Sequence, residues 1–100
     1  VKRFGTVAVS GNSMAPKYKD GDWLFVRWFQ STIAEISLSD VVVVERGERP
    51  GIFLIKRIQK KHGDIYWVEG DNSESSDSRT WGWIPKNEIV GKVLFRFAKR

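Results

Sequence analysis

The residues best suited to catalysis are two serines in a turn-rich stretch and a lysine set in an apolar strand. Ser10-Gly11-Asn12-Ser13-Met14-Ala15-Pro16 breaks the chain and leads through Asp20-Gly21-Asp22 into Trp23-Leu24-Phe25-Val26. A serine in a tight turn at a strand end presents its hydroxyl while the strands fix its position. Most stretches of this kind are only turns, so the weight falls on two later segments. In Ile52-Phe53-Leu54-Ile55-Lys56-Arg57-Ile58, strand alternation puts Leu54, Lys56 and Ile58 on one face and Phe53, Ile55 and Arg57 on the other. Each face mixes one cation with apolar neighbours, so one of the cations must lose water. A buried arginine stays charged and needs a carboxylate. A buried lysine can release its proton, because burial lowers its pKa. A neutral lysine amine within reach of a serine hydroxyl is a general base for a nucleophile, and the serine–lysine pair is one variant of triad logic. The bland alternative is that Lys56 runs along its own stem to solvent.

The second segment is Gly70-Asp71-Asn72-Ser73-Glu74-Ser75-Ser76-Asp77-Ser78-Arg79. Read blandly, it is a solvated loop of Asx and Ser turns. Read for chemistry, Asp77 pairs with Arg79 and Ser75 hydrogen-bonds the Lys56 amine. Asp71, Asn72, Glu74 and Asp77 are all oxygen ligands, but they lack the Asp-x-Asp-x-Asp-Gly pattern of a calcium loop. No metal or organic cofactor is expected. His62, beside Gly63-Asp64, reads as a surface residue in a turn, and Met14 as a packing residue beside the nucleophile.

The elements that must hold these residues are short strands. Phe4 to Ser10, Trp23 to Phe29, Val41 to Arg46, Ile52 to Gln59, Ile65 to Val68 and Val90 to Phe97 carry strand patterns. His62-Gly63-Asp64 is a hairpin turn. Gln30 to Ser39 is an irregular connection with a weak Ile33/Ile36 anchor, Glu69 to Thr80 a long polar loop, and Lys86 to Ile89 a short turn. No stretch has sustained helical periodicity. The pattern predicts an all-β fold, a sheet closed on itself as a barrel or sandwich. One hundred residues make a single domain, 1–100. Cysteine is absent, which excludes disulfides, thiolate catalysis and cysteine-built zinc sites. No apolar run approaches the roughly 20 residues of a membrane-spanning helix, and no secretory leader pattern is visible. The net charge of +5 is spread along the chain and reads mainly as a solvated surface. Trp67 is a candidate core residue, and Trp23, Trp28, Trp81 and Trp83 candidates for an exposed rim.

Taken together, the three segments resemble the type I signal peptidases, serine–lysine leader peptidases with an all-β, partly open barrel. The resemblance rests on Ser10 to Pro16, Gly21-Asp22, Lys56-Arg57, Gly70-Asp71-Asn72, Ser75 to Arg79, Trp81-Gly82 and Val90-Gly91-Lys92, in that order. It implies Ser13 as nucleophile, Lys56 as general base, and Ser75 orienting the lysine. Asp77 and Arg79 would brace the loop, and the Ser13 N–H with a hydroxyl near Ser10 would stabilise the oxyanion. Met14 and Pro16 would border the substrate. The partner implied is a precursor protein bound as an extended peptide, with small residues such as alanine before the scissile bond. The size, and the run from Trp67 to Asn72, resemble a compact branch that matures nickel-type superoxide dismutase, which would place the enzyme in the cytoplasm. The alternative is a general signal peptidase domain, associated with a membrane through an anchor or exposed tryptophans, its active site extracytoplasmic. Rival readings are a self-cleaving SOS repressor relative, a catalytically silent peptide binder, and a basic β-barrel holding single-stranded nucleic acid; no nucleic acid is expected on the protease reading.

Overall fold

A computed structural model of the chain describes residues 3–29, 36–73 and 76–98. Its strands are β1 (Phe4–Ala8), β2 (Trp23–Trp28), β3 (Val41–Glu45), β4 (Phe53–His62), β5 (Ile65–Glu69), β6 (Ile84–Pro85) and β7 (Ile89–Ala98). They form one antiparallel sheet in the order β1-β2-β7-β3-β4-β5-β6, curled into a half-barrel. The last strand lies between β2 and β3, so it ties the first part of the chain to the rest. Register shifts between Trp23/Leu24 and Phe25/Val26 on the β2–β7 ladder add local twist, which helps the sheet to curl. The all-β class expected from the strand pattern is the one observed.

The β-branched run in β3 explains where the core sits. Val41 and Val43 face a cluster with Val9, Met14, Tyr18, Leu24, Val26, Ile55 and Val93. Val42 and Val44 face the opposite way, into Ile36, Ile58, Tyr66, Val68, Ile84 and Ile89. A strand with apolar neighbours on both sides needs no polar alternation, and this one has none. The β4–β5 hairpin closes with His62 paired to Ile65, leaving a two-residue turn in which Gly63 takes φ 57°, as such turns require.

Some expectations need correcting. The segment ending at Thr80 is not all loop: Ser78–Trp81 forms a short helix, α1. Four residues are too few to show a helical period, so the helix is marked by its cap alone. Lys86–Glu88 is a 3₁₀ turn, and β4 runs on to His62 because β5 pairs with it that far. Trp67 is half-buried; it packs edge-on against Trp83 with ring centroids 5.5 Å apart and donates its indole N–H to Glu69. Trp23 and Trp83 are exposed, whereas Trp28 and Trp81 are half-buried. Ile33 lies outside the described residues.

Candidate active site

The turn that carries Ser13 is held from below by one buried carboxylate. Asp22 is 4% exposed and accepts from the Lys19 N–H at 2.9 Å and from Arg96 at 3.3 Å. Arg96 also donates to the Lys17 carbonyl at 2.9 Å. Gly11, with φ 87°, donates its N–H to Asp20 at 2.8 Å. These contacts fix both legs of the turn to the start of β2. At its tip, Met14 is buried in the first core cluster, and Ser13 stands half-buried beside it. Pro16 follows a cis peptide bond and is exposed.

Lys56 lies opposite Val42 in the β3–β4 ladder and is 2% exposed. Strand alternation therefore buries the lysine and leaves Arg57 on the other face, where Arg57 has the carboxylate it needs. Its Nε and Nη2 each meet an Asp71 carboxylate oxygen at 2.9 Å, and Nη1 donates to the Ser39 carbonyl at 3.0 Å. Burial pushes the Lys56 amine below the ordinary lysine pKa; the Asp77 carboxylate opposes this and the Arg79 cation adds to it. The Lys56 Nζ stands 6.0 Å from the centre of the Trp81 ring. That ring also carries the Arg46 guanidinium at 4.8 Å, which Glu88 holds at 3.0 Å.

One loop ties the serine turn to α1, whose capping carboxylate acts on the Lys56 charge. After β5, the Asn72 N–H donates to the Ser13 carbonyl at 2.8 Å, and the Asp71 N–H points at the Met14 Sδ at 3.4 Å. The same loop is braced from behind by Asp77, which is 0% exposed. Asp77 caps α1, accepting from the Arg79 N–H at 3.0 Å, and it accepts the Gly70 N–H at 2.8 Å. Arg79 Nη2 meets the Asp77 carboxylate at 2.6 Å and the Asn72 carbonyl at 3.1 Å. Ser78 takes the Val68 N–H at 2.9 Å. Ser75 lies outside the described residues.

Beside the turn runs a groove of about 450 Å³, lined by Val7 to Ser10, Ser13, Met14 and Gly51 to Ile55. It thus brings together Ser10, Ser13 and Met14 and leaves out Pro16. Lys56 is the next residue after the lining of the β4 wall. Among the described residues, both walls have backbone edges that no strand pairs with. Val9 exchanges its bonds with Asp22 and Gly21 on the β2 side, at 2.8 Å each, so Thr6, Ala8 and Ser10 turn theirs outward. Ile58 bonds to Asp40 and Ser39 on the β3 side. Phe53 and Ile55 therefore face away from β3, and β5 joins β4 only from Arg57 onward.

The buried braces Asp22 and Ser78, the Arg57–Asp71 pair and the Trp81 stack were not singled out as site residues by sequence reasoning. Arg57 was flagged as needing a carboxylate, and the Trp81-Gly82 pair belonged to the motif. Asp22 belonged to the Gly21-Asp22 piece of the motif, but nothing in the sequence gave it the role of a buried brace. Among the described residues no group of three His, Cys, Asp or Glu could hold a metal ion.

The Peptidase S24-like family matches residues 2–94. The chain is 28% identical to human mitochondrial inner membrane protease subunit 1, over 92% of its length and 68% of that protein. It is 30% identical to mitochondrial ATP-independent inner membrane protease subunit 1a of Arabidopsis thaliana, over 91% of its length and 68% of that protein. A shorter stretch, 32% of the chain and 17% of the relative, is 61% identical to signal peptidase IB of Staphylococcus aureus.

Proposed function

Because this chain belongs to the Peptidase S24-like family and is a leader-peptidase type of protease, we propose that Ser13 and Lys56 form its catalytic dyad and cut a precursor near its N-terminus. The observation that carries this reading is the loop after β5, which grips the Ser13 carbonyl at one end and is braced at the other by Asp77, whose charge acts on the buried lysine. The neutral Lys56 amine takes the proton from the Ser13 hydroxyl as its oxygen attacks the scissile carbonyl. The Ser13 N–H and the Ser10 hydroxyl donate to the oxyanion, an interaction typically worth about 3–4 kcal/mol in the transition state. Lys56 then returns the proton to the leaving amine, and a water activated by the same amine releases the acyl group. The resemblance gives the orienting of the lysine to Ser75. No step calls for a metal or an organic cofactor.

The substrate enters as an extended strand. The free edges of Thr6, Ala8 and Ser10 on one wall and of Phe53 and Ile55 on the other offer main-chain hydrogen bonds to both sides of a peptide. The pro-segment of a nickel-type superoxide dismutase precursor is one substrate of this class, as the compact-branch resemblance implies. Two of the relatives are named for the mitochondrial inner membrane. Among the described residues no helix is long and apolar enough to cross a membrane; Trp23, with Phe4, Phe95 and Phe97, instead offers an exposed aromatic face suited to working beside one.

Incubation with a peptide carrying alanine before the scissile bond tests the reading. We expect one cut, lost in Ser13→Ala while the folded spectrum is retained. Peptide binding without any cut by the unsubstituted chain contradicts it and favours the silent peptide binder.

A further inference from the structure

An aromatic crossbeam, Trp28 against Phe53, spans the sheet near the groove beside Ser13. Trp28, the last residue of β2, is in register with Gly91 of β7 and lies diagonal to Gly5 of β1. Both neighbours lack a side chain, and the indole needs that space. A Cβ on Gly5 would lie 2.5 Å from the indole Nε1, and one on Gly91 3.1 Å from Cε3. The ring therefore lies over β1 and β7 and packs against the first core cluster. From there it meets Phe53 of β4, ring centroids 5.5 Å apart. β1 and β4 are the two walls of the groove, so this contact joins wall to wall. On the β1 wall the lining begins at Val7, so Gly5 and Trp28 lie outside it; on the β4 wall it takes in Phe53 together with Ile52 and Gly51 of the turn before the strand.

We propose that the Trp28–Phe53 contact is the end wall of the peptide groove and sets how much of a precursor is read. Measured along the lined stretch from Val7 to Ser10 and on to the turn that carries Ser13, the space holds about five extended residues at roughly 3.3 Å each. Residues of the precursor beyond those five leave the groove at the crossbeam and add nothing to recognition. Gly5 is on this account a specificity residue at second hand, since a side chain there displaces the indole, and one at Gly91 crowds it. The inference rests on the peptide reading of the groove given above.

Two nested peptide sets test it, one lengthened before the scissile bond and one after it, with three, five or eight residues on the varied side. Binding is measured to Ser13→Ala protein, so that turnover plays no part, and cleavage is measured in parallel on the unsubstituted chain. In one set, affinity should rise about tenfold from three to five residues, as added backbone hydrogen bonds would give, and change by less than about twofold from five to eight. Phe53 is 47% exposed, so Phe53→Ala opens the end wall with the core intact, and in that background the eight-residue peptide should outbind the five-residue one. Trp28→Phe, which shortens the beam, should do the same to a smaller degree. Affinity that climbs through eight residues in both sets, or a Phe53→Ala protein that still levels at five, overturns the end wall. Levelling at five without cleavage by the unsubstituted chain supports the end wall and defeats the protease reading instead.

Discussion

Lys56→Met should abolish cleavage and at the same time make the protein more stable near neutral pH. The side chain is 2% exposed, lies opposite Val42, and methionine has nearly its shape without its charge. A general base contributes on the order of 10²–10⁴ in rate, and members of a catalytic unit fail together, so the loss should be about 10³-fold or more. The sign of the stability change follows from the lowered pKa, caused first by burial. Between the folded and unfolded pKa values the unfolded chain binds more protons, so stability rises with pH through that window. Below it, the cost of burying the charged amine is fully present. Methionine never incurs that cost, and Asp77 keeps Arg79 as its partner. Thermal melts should therefore show Lys56→Met above the parent near pH 7, the gap narrowing as the pH approaches the ordinary lysine range. For the parent, kcat/KM should rise with pH through the lowered pKa, as a base that must be neutral requires. A variant that melts lower at every pH, or that still cuts, contradicts this placement of the lysine.

Asp77→Ala should be the more damaging substitution for the fold. The carboxylate is 0% exposed and accepts from the Gly70 N–H, the Arg79 N–H and the Arg79 guanidinium. Its removal takes away the cap of α1 and leaves a buried N–H and a cation short of a partner. Breaking a buried pair costs about 3–5 kcal/mol. Arg79 is 37% exposed, so solvent recovers part of this and the lower end applies. At about 4–8 °C per kcal/mol for a chain of this size, the melting temperature should fall by roughly 12 °C or more. Activity should fall further than stability does, because the Asn72 N–H that holds the Ser13 carbonyl is on the same loop. Asp77→Asn, which keeps the acceptor oxygen, should recover part of the stability. Melts and peptide cleavage on the two variants check the order; equal losses from Ala and Asn would mean that charge alone matters.

How much of this was legible in the sequence depended on the kind of signal. The strands carry period-two patterns or β-branched runs, so the all-β class and most strand positions were readable, and Val41–Val44 announced a strand buried on both faces. The alternation of Lys56 and Arg57 posed a choice that the sequence left open; the structure resolves it because Asp71, 14 residues on, comes back to Arg57. The pairing of Asp77 with Arg79 was readable because the two are neighbours in a turn. What could not be read was long-range. That Asn72 would reach Ser13, Glu88 reach Arg46, or Trp28 cross to Phe53 depends on how far the sheet curls. No local pattern encodes that. α1 was missed because a helix of one turn is set by its cap and not by a period.

The central claim is that Ser13 is a nucleophile activated by Lys56. Intact-mass measurement after exposure to a serine-acylating inhibitor tests it most directly, on the parent, Ser13→Ala and Lys56→Met. The account predicts one adduct on the parent, none on Ser13→Ala, and none on Lys56→Met although that variant is folded and more stable. A folded parent that takes no adduct, or an adduct that survives Ser13→Ala, would contradict it.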